Sequence, residues 1–301
     1  MKILIAGGSG FVGTKLCADL VENNHQVTCL TRNKKIHTTP NVEYMTWDGK
    51  NLSTDKEFDI IINLCGESIA DKRWFSWNKK RFFQSRIDPT AAICNYIKNS
   101  SNSHNMHLIN ASAIGIYPSS ADSQDERTEI KINKRSFAQE LVIKWEAAAS
   151  AAREYGAKVT CIRLGVVLDL SGGMLKKLST SFRYGLGCAI GNTKYKLSWV
   201  SRTDVSRAIQ HIITLPNAKD NYIISSPQPC TKIEFAASFA SLYGQKARLV
   251  MPEFATKILF GQMGEEILLS DQSIKPYNLI ESGFVFRDNS ISEYFTRIKG
   301  D

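Results

Sequence analysis

The residues with the clearest chemistry in this chain are glycines. Gly8-x-Gly10-x-x-Gly13 follows a short apolar run, residues 2–6, and opens a stretch where Phe11, Leu16, Leu20 and Val21 fall near i, i+4 spacing. Gly7 adds the alternative spacing G-x-x-G-x-x-G over the same residues. Glycines placed there permit φ > 0 in a tight turn, let the backbone approach a pyrophosphate and bring helix and strand close together. The phosphates then rest on free N–H groups at the positive end of the helix dipole. Gly7, Gly10, Phe11, Val12 and Gly13 are therefore the expected dinucleotide contacts, the alternative being a glycine-rich turn with no ligand.

The end of the second strand selects the dinucleotide. A site for NAD places Asp or Glu there to bond the ribose 2′-OH, whereas this chain reads Thr31-Arg32-Asn33-Lys34-Lys35 with no acid. A guanidinium matches a 2′-phosphate bidentately. The expected cofactor is NADP(H), with Thr31 and Arg32 on the 2′-phosphate; the alternative is a solvated Arg32.

Positioning these residues requires strands alternating with helices. Residues 26–31, 43–47, 59–66, 107–112 and 158–164 read as further strands, and residues 137–152 as a helix. That alternation predicts an α/β Rossmann fold, a doubly wound parallel sheet, with a small and mainly helical C-terminal lobe. The expected division is 1–230 for the dinucleotide-binding domain, its substrate region starting near 170, and 231–301 for the lobe. The 301 residues suffice for that core, and no run approaches the roughly 18 apolar residues of a membrane span. No secretory leader is expected either, because the first apolar run ends at once in glycines. Cys17, Cys29, Cys65, Cys94, Cys161, Cys188 and Cys230 are dispersed, which suits reduced thiols in a cytoplasmic protein and no metal site. The net charge of +9 allows three readings: nucleic acid, a membrane surface, or anionic small ligands. The basic and aromatic stripe from Lys72 to Phe83 is the one candidate for nucleic acid, which is not the favoured partner.

At larger scale the chain resembles an atypical extended short-chain dehydrogenase/reductase, an NAD-dependent epimerase/dehydratase-like protein with a C-terminal domain of unknown function. The resemblance runs over essentially the whole chain. It is carried by residues 7–13, Leu30-Thr-Arg-Asn33, residues 63–74, Gln84-Ser-Arg86, Lys144-Trp-Glu-Ala147, residues 163–168, residues 182–191 and Gly283-Phe-Val-Phe-Arg287. It implies NADP binding and a pocket for an unassigned small molecule between sheet and lobe. It also implies cofactor contacts at Leu64 and Cys65, a further anion contact at Arg86, and Val167 near the nicotinamide. Arg81 can share a helix face with Arg86, or belong to a solvated basic face.

The catalytic residues depart from the pattern of ordinary short-chain dehydrogenases, and the resemblance implies that the atypical family shares the loss of the Tyr-x-x-x-Lys pair. Where the ordinary enzymes carry Tyr-x-x-x-Lys, this chain reads Phe137-Ala-Gln-Glu-Leu141, and a phenyl ring cannot transfer a proton. Ser112 and Tyr117 are the candidate substitutes, although aligning Tyr117 with the family's tyrosine puts Ala113, not Ser112, in the serine position, and Pro118 stands where glycine is usual. Ser201 stands for a usual histidine, Asp204 reads as the cap of the next helix, and the acids from Asp122 to Glu129 read as a solvated lid edge. Two functions compete: an oxidoreductase or epimerase-like enzyme, and a non-enzymatic NADP(H)-binding regulator.

Overall fold

The computed structural model describes residues 1–32 and 39–300. The chain opens with β1 (Lys2–Ala6), α1 (Phe11–Glu22), β2 (Gln26–Thr31), β3 (Val42–Thr46), β4 (Ile60–Asn63) and the long α2 (Ser76–Asn99). β5 (His107–Ala113), β6 (Ser120–Gln124), α3 (Phe137–Ser150), β7 (Lys158–Leu164) and β8 (Val166–Asp169) follow. Shorter pieces come next: α4 (Gly173–Arg183), β9 (Cys188–Ile190), β10 (Lys196–Leu197), β11 (Trp199–Ser201), α5 (Arg202–Thr214) and β12 (Asn221–Ile224). The remainder is β13 (Cys230–Thr231), α6 (Lys232–Ser241), β14 (Leu249–Met251), α7 (Glu253–Phe260), a π-helical turn at Gly264–Leu268, β15 (Gln272–Ile274), α8 (Tyr277–Glu281) and α9 (Ile291–Gly300).

The central sheet runs β12-β7-β5-β4-β1-β2-β3, every neighbouring pair parallel. The order reverses between β1 and β4, the switch point where Rossmann sheets bind ligands. Strands buried on both faces explain the unbroken apolar runs. Ile3 and Ile5 of β1 pack with Leu16 and Leu20 of α1 and Ile209 and Ile212 of α5. Leu4 and Ala6 face the opposite way, against Ile93 and Ile97 of α2 and Ala149 of α3.

A second core lies beside the sheet and is largely aromatic: Phe182, Trp199, Phe235, Phe239, Tyr294 and Phe295. It draws on chain both before and after residue 230. α6 is fixed at its start by a capping box, Thr231 with Glu234. Among the described residues no helix is long and apolar enough to cross a membrane.

Two local expectations are corrected. Asp204 does not cap its own helix. Ser201 Oγ does so, accepting from Asp204 N at 3.1 Å, and the fully buried Asp204 carboxylate accepts instead from Arg287 N and Asp288 N and from the Arg207 guanidinium. It therefore clamps the C-terminal segment to α5, work that a cap assignment from local sequence misses. Residues 122–129 are also not a solvated edge throughout. Ser120–Gln124 forms β6 and pairs with β15, while Glu126 accepts from Ile223 N at 2.7 Å and Asn278 N at 3.3 Å. Burial raises the pKa of Glu126, against those hydrogen bonds.

Candidate functional site

The glycine turn sits at the C-terminal ends of β1 and β4. Gly7 has φ +81°, and a Cβ on it would lie 2.8 Å from the Leu64 carbonyl carbon and 3.0 Å from Cys65 N. At Gly13 a Cβ would lie 2.4 Å from Gly7 O and 2.6 Å from Gly8 Cα. The turn is closed by Gly10 N donating to Gly7 O at 3.0 Å. α1 starts at an extended Gly10 with no side-chain cap and no acid in its first turn. The first-turn N–H groups, which no intrahelical carbonyl can reach, thus point where an anion binds. Gly8, the first glycine of the G-x-G-x-x-G spacing, packs on sulfur: its added Cβ would lie 2.5 Å from Cys29 Sγ and 3.0 Å from Cys17 Sγ. Two buried thiols pack directly beneath the turn.

Arg32 is exposed just past the buried Thr31. Its charge acts on Cys65, whose thiol burial nonetheless pushes up to about 12. Thr31, Arg32, Leu64 and Cys65 therefore share the rim of the glycine turn, while Asn33, Lys34 and Lys35 lie outside the described residues. Phe11 projects the other way. An added Cβ on Gly172 would lie 2.5 Å from its ring, and the Arg202 guanidinium lies 5.1 Å from its centroid and donates to Thr14 Oγ1 at 2.5 Å. This packing ties the turn to the segment after β8, where Val167 pairs with Val200.

Next to the turn, a cavity of about 750 Å³ opens between the ends of β5 and β7, α3, and the segment from Gln262 to Gln272. Ala138, Gln139, Leu141, Val142 and Trp145 form its α3 wall, and Arg86, Ala113 and Tyr117 also line it. Phe137 does not line it, being packed against Trp74 with ring centroids 4.8 Å apart. Glu266 caps α3, accepting from Phe137 N, Ala138 N and Ser136 Oγ at 2.9–3.1 Å. A carboxylate is favoured there by the helix dipole.

Ser112 and Tyr117 are brought into one network by two residues that sequence reasoning left without a role. Ser112 Oγ donates to Glu146 Oε1 at 2.5 Å. Arg163 grips both Glu146 oxygens at 2.9 Å and donates from Nη1 to Tyr117 OH at 2.7 Å. Burial pushes the Tyr117 phenol up to about 12, against the pull of Arg163. Burial would lower the Arg163 pKa, but Glu146 more than offsets it and the net shift is upward. Ser112 is buried beneath the cavity wall, and Ala113 is the residue that lines it. The available signal was an ionisable pair, Glu146 and Arg163, within otherwise apolar helix and strand faces.

Arg86 lies over the Trp145 ring at 5.0 Å. Arg81 is exposed and donates to Glu67 Oε1 at 3.2 Å. Among the described residues no cluster of three or more His, Cys, Asp or Glu side chains could hold a metal.

The profile of the NAD dependent epimerase/dehydratase family matches residues 3–225. The chain belongs to that family. A domain of unknown function, DUF1731, matches residues 251–298 of this epimerase-family chain. An epimerase family protein of Mycobacterium bovis is 32% identical over 295 residues, which is 97% of this chain and 95% of that protein. One from Staphylococcus aureus is 28% identical, covering 96% of each. Among solved structures, human epimerase family protein SDR39U1, crystallised with NADPH, superposes with a TM-score of 0.88 at 26% identity over 100% of both chains. A nucleoside-diphosphate sugar epimerase from Corynebacterium glutamicum gives 0.79 at 25% identity, over 100% of this chain and 58% of that one. The epimerase-family chain is thus an extended short-chain dehydrogenase/reductase in fold, of a family that binds NAD(P).

Proposed function

We propose that the chain is an NADP(H)-dependent oxidoreductase or epimerase-like enzyme acting on a small molecule in the cavity. The observation that carries this reading is the glycine turn. Its sterics exclude side chains at Gly7 and Gly13, and it leaves an uncapped helix start beside the cavity. These residues fit a dinucleotide. Gly7, Gly10, Phe11, Val12, Gly13, Leu64 and Cys65 would hold its pyrophosphate end, Thr31 and Arg32 its 2′-phosphate, and Val167 would sit across from them. The NADPH carried by the human neighbour supports the same choice of cofactor. Residues 1–230 would form the cofactor-binding part and 231–301 the lobe, and the seven free cysteines suit a reducing, cytoplasmic setting.

The bound dinucleotide would supply or accept a hydride. Proton transfer falls to the chain. The cavity face of α3 presents Ala138, Gln139, Leu141, Val142 and Trp145 in place of a Tyr-x-x-x-Lys pair. Tyr117, which lines the cavity, is the proton donor this reading assigns. Arg163 donates to its oxygen, so the phenol proton is free to point elsewhere, and the phenolate left after transfer is stabilised by the guanidinium. Glu146 fixes Arg163, and Ser112 fixes Glu146.

The test is NADPH oxidation across a panel of carbonyl compounds. Tyr117→Phe is expected to cut turnover by about 100-fold or more while NADPH affinity stays within about twofold. Unchanged turnover in Tyr117→Phe would remove Tyr117 from the chemistry. The second reading, a non-enzymatic NADP(H)-binding regulator, is favoured by an α3 wall that presents neither tyrosine nor lysine to the cavity. It predicts NADPH binding with no turnover of any compound in the panel.

A further inference from the structure

An exposed apolar face lies outside the cavity, on α7 and the segments around it. On α7, Phe254 is 67% and Ile258 70% exposed, one helical turn apart, with the exposed Leu259 beside Ile258. The side chain that α7 buries is Thr256. Leu249 and Val250 of β14 are exposed just before the helix, and their pairing with Cys188 and Ala189 of β9 draws in the segment of the exposed Leu186. At the other end of α7, Arg73 Nη2 donates to Ile258 O at 2.9 Å and Leu259 O at 2.8 Å. Those bonds tie the chain at Phe75 and Trp77 to α7, and the two exposed rings stack with centroids 4.8 Å apart. None of these side chains lines the cavity.

The charges around this face are mostly of one sign. Residues 170–203 and 235–252, which meet at the β9–β14 pair, contain no Asp or Glu. Within them Lys176, Arg183, Lys246 and Arg248 are exposed and make no ion pair among the described residues. Gln245 Nε2 donates to Arg183 O at 3.4 Å, which holds the cations at 183 and 246–248 together. Few acids reach the face: Asp71 pairs with Lys177, Glu265 pairs with Lys257, and α7 itself carries Glu253. A contiguous exposed apolar patch marks an interaction surface. Here the side chains stand out from a short helix and a strand and line no groove. A rigid partner would need pockets to receive them, whereas lipid takes them without any. Unpaired Lys and Arg suit anionic headgroups, and Trp77 and the exposed Tyr184 are of the types that favour the headgroup level. We infer that this face docks on an anionic lipid surface, with α7 lying in the plane of the interface. Such contact requires no helix able to cross a membrane, and none is present among the described residues. α7 leads into the segment from Gln262 to Gln272, so docking brings that wall of the cavity to the lipid.

Flotation of the full chain with vesicles of phosphatidylcholine alone, and of equal parts phosphatidylcholine and phosphatidylglycerol, is the test. Wild type should bind the anionic vesicles at least about tenfold tighter than the neutral ones. Phe254→Ser with Ile258→Ser should weaken that binding at least about tenfold, because two apolar side chains no longer enter the lipid. Lys246→Glu with Arg248→Glu should abolish the preference for the anionic vesicles. All four positions are exposed, so both double variants should unfold in urea at the wild-type midpoint. Wild type that fails to bind the anionic vesicles overturns the inference, as does full retention of binding in Phe254→Ser with Ile258→Ser. So does a wild type that is dimeric in sedimentation velocity without vesicles and monomeric in that variant, which would give the face to a second copy of the chain.

Discussion

Gly13→Ala is expected to lower NADPH affinity by about 100-fold, equivalent to about 2.7 kcal/mol. The added Cβ would sit 2.4 Å from Gly7 O and 2.6 Å from Gly8 Cα. Both are backbone atoms and cannot swing aside as a side chain can, so α1 must retreat from the turn. The first-turn N–H groups then leave the position that the pyrophosphate requires. Overpacking at this site should also cost about 1–3 kcal/mol of stability. Gly49→Ala is the matched control. Its φ of +83° strains any side chain, yet no heavy atom lies within 4 Å of the new Cβ. It should lose about 1 kcal/mol of stability and leave NADPH binding unchanged. Fluorescence titration and urea unfolding read both quantities, and a Gly13→Ala protein that binds NADPH like wild type would contradict the assignment of the turn.

The second large effect concerns Arg163. Arg163→Met would leave the Glu146 carboxylate with Ser112 as its partner at a site where it is only 17% exposed. Breaking a buried ion pair from one side typically costs about 3–5 kcal/mol, because the surviving charge is uncompensated. The Tyr117 hydroxyl would lose its donor as well. Removing both charges, Glu146→Leu with Arg163→Met, should recover most of that loss. Urea unfolding midpoints of the two single variants and the double variant measure the coupling. If Arg163→Met costs less than about 1 kcal/mol, the network is not the structural anchor described here.

The sheet and the glycine turn were legible in the sequence because both are local. An apolar run ending in glycine describes β1 and its turn within a dozen residues, and burial on both faces of the sheet leaves an unbroken apolar run from Ile60 to Ile62 in β4. What was not legible depends on pairs far apart in the chain. Arg163 reaches Tyr117 across 46 residues, and Glu266 reaches Ala138 across 128. Asp204 illustrates the difficulty. An acid at the start of a helix reads as a cap from local sequence, and only the return of residues 287 and 288, 83 and 84 positions later, shows what its carboxylate holds. Glu126 was misread as solvated for the same reason, since its partners come from β12 and α8.

The measurement that bears most directly on the central claim compares NADPH and NADH affinities in wild type and Arg32→Ala. The absence of an acid after β2 and the exposed Arg32 at the rim of the turn predict NADPH binding at least about tenfold tighter than NADH. In Arg32→Ala that preference should vanish through weaker NADPH binding, with NADH affinity unchanged. Equal affinity for the two cofactors in wild type would contradict the account.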